Sequence, residues 1–127
     1  MVESHGQNKV FINPEGYLEI ALVGDQSEGS FRRLYSDAVP LIEEFRTKNN
    51  DLLCLFDLTH DTGFTLGSNK VAMELLESTP YDKIAMFNVP HAEVTKGIIL
   101  AIGKSDKTKI FKNREEAVAW LLSKEGN

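Results

Sequence analysis

Residues 51–68 read DLLCLFDLTHDTGFTLGS, and the change of character within them sets the fold class. Leu52 to Phe56 is an unbroken apolar run, the pattern of a parallel strand covered on both faces. From Asp57 onward, polar residues and glycines take over, which predicts that the strand ends there and a loop runs to Ser68. In open α/β sheets, ligands and partners meet the loops at the carboxyl ends of such strands. A working surface is therefore expected in 57–68.

Working outward, strands and helices alternate. Val10–Ile12 and Tyr17–Val23 read as strands joined by Asn13-Pro14-Glu15-Gly16, with Asn, Pro and Gly where a type I turn wants them. This predicts an antiparallel hairpin. From Ser30, residues Phe31, Leu34, Tyr35, Ala38, Leu41, Ile42 and Phe45 recur at helical steps. Pro40 lies inside that pattern and is expected to kink or divide the helix, at a cost of about 3 kcal/mol. A second helix is predicted over 67–78 with Val71, Ala72, Leu75 and Leu76 inward, stopped by Pro80. Lys83–Val89 reads as a buried strand. A third helix follows Pro90 and ends at Gly103, with Gly97 expected to mark close packing. Thr108–Phe111 is a short strand, and Asn113 followed by Glu116 starts a last helix that buries Ala117, Trp120 and Leu121. The fold class is α/β: one mostly parallel sheet of about five strands, antiparallel at its first, with about four helices.

The 127 residues suit one domain, with residues 1–9 an aperiodic tail. A formal net charge of -5 argues against general nucleic-acid binding, which needs a basic footprint. The one cysteine, Cys54, excludes an intrachain disulfide. The first nine residues lack the apolar core of a signal peptide, and no apolar run reaches membrane-spanning length, so a cytoplasmic location is expected.

The segment LYSDAVPLIEEFRTKNNDLLCLFDL, the run KIAMFNV, and the ending IFKNREEAVAWL together resemble the SpoIIAA-like (STAS-like) family, the fold of bacterial anti-sigma factor antagonists. The likeness spans about residues 10–122 by order of elements. It implies a right-handed βα superhelix of about four units. It also implies a signalling module that acts by binding a partner protein, or a carrier of a small apolar ligand as in related lipid-transfer folds. The antagonists carry a phosphorylated serine in an Asp-Ser-Ser-Gly-like motif before the second helix. Here Gly63 to Ser68 (GFTLGS) has no acidic residue before a serine, and Asp61-Thr62-Gly63 lacks the second hydroxyl. The branch it resembles is the one without the phosphoserine motif.

The candidate surface comprises Asp57, Thr59, His60, Asp61, Thr62, Phe64, Thr65 and Ser68. Asp57, His60 and Asp61 are residues that hold a metal or run acid–base chemistry, and a strand-end aspartate can accept a phosphoryl group with Asp25 and Asp61 beside it. Asp-x-Asp-x-Thr is missing, however, because Thr59 stands at the second Asp position. Asp57 capping its own loop is the favoured reading. Thr65 and Ser68 are candidate phosphoacceptors, or simple helix caps. His91 stands at a strand end. Cys54, amid leucines, reads as a buried small residue. Lysines 96, 104, 107, 109 and 112 with Arg114 make the last third basic, either for an anionic partner or to guard an edge strand. The expectation is a non-enzymatic interaction module, without metal or cofactor, that binds a protein partner through 57–68 and the following helix. The alternative is a carrier of a small apolar ligand, with a metal-dependent phosphoryl-transfer protein as a third reading. A homodimer is compatible with this size.

Overall fold

A computed structural model describes residues 8–48, 50–64, 66–90, 92–101 and 103–123, without the side chains of 62–69. The described residues form β1 (Lys9–Asn13), β2 (Tyr17–Gln26), α1 (Glu28–Thr47), β3 (Leu53–Phe64), α2 (Leu66–Ser78), β4 (Lys83–Phe87), α3 (Ala92–Ala101), β5 (Thr108–Phe111) and α4 (Arg114–Leu122). The five strands make one sheet in the order β1-β2-β3-β4-β5, with β1 antiparallel to β2 and the other neighbours parallel. The expected α/β architecture is present.

The hairpin closes as its residues dictate. The Gly16 amide donates to the Asn13 carbonyl at 2.9 Å, and the Asn13 side chain accepts from the Glu15 amide at 2.9 Å. Gly16 takes φ 105°, which a residue with a Cβ resists.

The period of two then sorts residues to the two sheet faces. Leu18, Ile20, Leu22, Cys54, Ile84 and Met86 point to one face, where α1, α2 and α3 supply Phe31, Leu34, Val71 and Ile99. Tyr17, Leu55, Ala85 and Phe87 point to the other, where α4 covers them with Ala117 and Leu121. Because strand order follows chain order, the sheet has no reversal of direction and hence no switch-point crevice at its strand ends. The space available to a ligand lies between layers instead.

Four expectations are corrected. β3 does not end at Asp57 but runs to Phe64, because β2 also runs on to Gln26 and supplies a partner as far as Gln26↔Phe64. Pro40 does not divide α1. The helix buries Phe31, Leu34 and Ala38 before the proline and Ile42 and Phe45 after it, and each large apolar side chain contributes about 1.5–3 kcal/mol. Together these exceed the proline's cost of about 3 kcal/mol. β4 stops at Phe87 rather than Val89, since Asn88 turns the chain at φ 55°. Gly97 marks no close approach, as a Cβ there would meet nothing within 4 Å.

Helix starts follow their caps. Ser27 accepts from the Ser30 amide at 3.1 Å while the Ser30 hydroxyl accepts from the Ser27 amide at 2.9 Å, a reciprocal box. Asn113 accepts from the Glu116 amide at 2.9 Å.

Candidate functional site

Within β3, level with the carboxyl end of β4, Asp57 binds its own chain. Its Oδ1 accepts from the Thr59 amide at 3.0 Å and from the Thr59 hydroxyl at 2.6 Å. Asn88, from the end of β4, donates to the Thr59 hydroxyl oxygen at 2.8 Å. Asp57 thus makes a local bond to a backbone amide, as read from the sequence, but within a strand and not at the start of a loop. Among the described residues no group of three or more His, Cys, Asp or Glu side chains is placed to hold a metal ion.

His60 and Asp61 part company in a way the sequence does not announce. The β2–β3 register runs Leu18↔Cys54, Ile20↔Phe56 and Ala21↔Asp57, then jumps to Val23↔His60 and Gly24↔Asp61. Two residues of β2 span three of β3, which is a β-bulge, and one extra residue inverts the alternation beyond it. Without it, His60 would join Cys54, Phe56 and Leu58 on the helix-covered face. With it, His60 is exposed and Asp61 takes that place, 8% exposed. A second shift, between Gly24 and Asp25, follows at Gly24, whose φ is 81°.

Asp61 lines a cavity of about 110 Å³ between the sheet and helices α1, α2 and α3. The sheet contributes Ile20, Leu22, Phe56, Leu58 and Met86. The helices contribute Phe31, Leu34 and Ala38 from α1, Ala72, Met73, Leu75 and Leu76 from α2, and Thr95, Ile98 and Ile99 from α3. Tyr35, Tyr81, Val89 and Pro90 complete the wall. Among the described residues of the wall, Asp61 is the only one with an acidic side chain, and none is a lysine, arginine or histidine. Such a lining favours apolar contents. For comparison, an engineered apolar cavity of about 150 Å³ stays dry and takes up benzene.

Behind the cavity, burial pushes the Tyr81 hydroxyl well above its ordinary range, with the neighbouring Cys54 adding to the rise. Burial pushes the Cys54 thiol up as well, only partly offset by its hydrogen bond with Tyr81. Cys54 is a buried thiol held in its neutral form, as the apolar run around it implied.

The opposite sheet face carries an ion pair. Arg114 donates through Nη1 to Glu19 Oε2 at 2.7 Å and through Nη2 to Oε1 at 2.6 Å, while Asn13 donates to the same Oε1 at 3.2 Å. The contact with Glu19 raises the Arg114 pKa. Tyr17 is raised by burial, with Arg114 opposing. Four of the basic residues of the last third have separate neighbours of their own. Lys109 lies over the Trp120 ring on edge strand β5, Lys104 donates to the Thr79 carbonyl, Lys96 faces Glu93, and Arg114 is taken by Glu19.

Of the candidate surface, Asp57 and Thr59 are brought together, His60 is directed outward and Asp61 inward. The side chains of Thr62, Phe64 and Ser68, and Thr65 and His91 altogether, lie outside the described residues. The sequence allowed an apolar ligand between helices and sheet, but it did not single out the residues of this wall as a site. Their signal was diffuse, since the same apolar stripes are what any core requires.

The fold is a SpoIIAA-like α/β fold. A solved structure shares that fold: an uncharacterized protein from the DUF3478 family, from Shewanella loihica PV-4, matches with a TM-score of 0.62 at 16% sequence identity, covering 90% of this chain and 91% of that one. No protein-family model and no curated protein matches the sequence. Among the described residues no helix is long and apolar enough to cross a membrane.

Proposed function

We propose that this protein is a non-enzymatic binding module that holds a small apolar ligand between its sheet and helices α1–α3. The cavity of about 110 Å³, walled almost wholly by apolar side chains, carries that reading. A core selected for stability alone closes such space, because each Å³ left empty costs about 24 cal/mol. α3 is the wall held least: Ile99 is its buried residue, while Val94 and Leu100 are 60% and 68% exposed. Segments with few buried contacts open at low free-energy cost, which suits ligand entry there. Titration with benzyl alcohol, followed by amide NMR, tests the reading. Saturable shifts at Leu58, Met86 and Ile98 are expected, and shifts scattered over the surface without saturation would reject it.

A partner protein engaging 57–68 is a second reading, favoured by one-sided strand pairing. β3 pairs with β2 as far as Phe64 but with β4 only as far as Asp57. Among the described residues no strand pairs with 58–64 on the side toward β4, which suits strand addition there. A pull-down in which proline at position 59 or 60 left every captured protein bound would count against it.

A further inference from the structure

We infer that β1 is a dimerisation edge and that it takes the β1 strand of a second copy of this chain, antiparallel, about a two-fold axis at Phe11. Among the described residues β1 stands at the end of the sheet and pairs with β2 alone. Phe11 is the anchor. It lies opposite Glu19, two residues along β2 from Tyr17, and so belongs to the sheet face that α4 covers. The helix packs over β3, β4 and β5, however, and at the β1 end of that face Phe11 is 42% exposed. Its neighbours Val10 and Ile12 turn the other way and pack against the core. Edge strands that stay single carry charge or proline along their length. β1 has one charge, Lys9 at its first position, an aromatic ring at its centre, and Pro14 only beyond its end.

The strand is complementary to itself. A two-fold axis perpendicular to the sheet sets residues of the same face against each other, so the numbers of opposed residues add to an even total. Centred on Phe11, the pairing matches the whole of β1: Phe11 meets Phe11, Val10 meets Ile12, and Lys9 meets Asn13 of the second copy. Centring on Ile12 would bring Pro14, which has no amide to donate, into the ladder. Centring on Val10 would leave Ile12 and Asn13 beyond the end of the opposing strand. The charges agree with the central register. Lys9 of one copy arrives beside Asn13 of the other, whose side chain donates to Glu19, and one diagonal step from the exposed Glu15 of the turn. A pairing of this length with one aromatic pair belongs to the small interfaces, below about 1,200 Å², so a dissociation constant of about 10–500 µM is expected.

Sedimentation equilibrium of the full chain from about 10 µM to about 1 mM tests the inference. The mass is expected to rise toward twice that of one chain. Phe11→Lys, which sets two like charges against each other at an exposed position, should hold it at one chain over the same range. An unaltered protein that stays monomeric throughout would overturn the inference, whether the edge is bare or taken by residues 1–7 of its own chain. A dimer that survives Phe11→Lys would place the contact elsewhere and overturn it equally. Mild oxidation then reads the register, since the native Cys54 is buried. Directly opposed Cβ atoms lie about 4.5–5.5 Å apart, close to what a disulfide needs, so Phe11→Cys should join two copies. In Lys9→Cys the two thiols sit about 13 Å apart along the strands, and joining should be at least about tenfold slower. Equal rates for the two variants would reject the pairing at Phe11.

Discussion

Filling the cavity from Ala72 should trade ligand binding for stability. Ala72 lines the cavity from α2 and is half-buried. Ala72→Leu adds three carbons, which at about 0.8 kcal/mol each for complete burial come to about 2.4 kcal/mol. An independent estimate, 110 Å³ at about 24 cal/mol per Å³, comes to about 2.6 kcal/mol if the space were filled completely. Leucine costs little against alanine as a helix former, but imperfect fit in a packed wall takes back about 1 kcal/mol. The expected gain is therefore about 1–2 kcal/mol. For a chain of 127 residues that corresponds to a rise of roughly 4–8 °C in Tm. The assay is urea unfolding of both proteins with and without benzyl alcohol. The unaltered protein should be stabilised by the ligand according to RT ln(1 + [L]/Kd), and the variant should not. A variant less stable than the parent, yet still stabilised by the ligand, would refute the placement of the cavity.

Other consequences lie outside the cavity. Arg114→Met leaves the buried Glu19 with only Asn13 of its side-chain donors named above. Since Arg114 is itself 42% exposed, screening limits the cost to about 2 kcal/mol by urea unfolding, and Glu19→Gln added to it should recover part of the loss. Asn88→Ala should cost about 1 kcal/mol more than Asn88→Gly, because both lose the bond to Thr59 but only alanine resists φ 55°; equal losses would argue against strain at that turn. Cys54 and Tyr81 have raised pKa values in the folded state, so the unfolded chain gives up their protons first, from about pH 9.0 for the thiol and 10.0 for the phenol. Stability is then fully present below pH 9 and falls above it, by up to about 1.4 kcal/mol per pH unit for each group. Cys54→Ala should remove the earlier part of that fall in denaturant midpoints measured from pH 8 to 11, and an unchanged slope would contradict burial of the thiol.

The architecture was legible in the residues because its signals are local. Asn13 to Gly16 chooses its turn, the stripe from Phe31 to Phe45 chooses its helix, and the Leu52–Phe56 run declares a strand covered on both sides. Asn113 marks the start of α4 for the same reason, since its side chain reaches an amide three residues away. Pro40 does not divide the helix because the opposing burial on both sides of it is a tertiary quantity, summed over contacts with the sheet.

The site follows the opposite rule. Polar residues and glycines after Asp57 look like a loop, and they form strand only because β2 extends beside them. One unpaired residue between Asp57 and His60 then inverts which side chains face the helices. Alternation along a single strand cannot report an insertion that exists only relative to its partner. Composition and periodicity thus specify the layers and their order. Where a carboxyl group meets apolar space, and how much space the helices leave, depends on strand register and on packing between distant segments, so folding alone assigns Asp61 to the cavity.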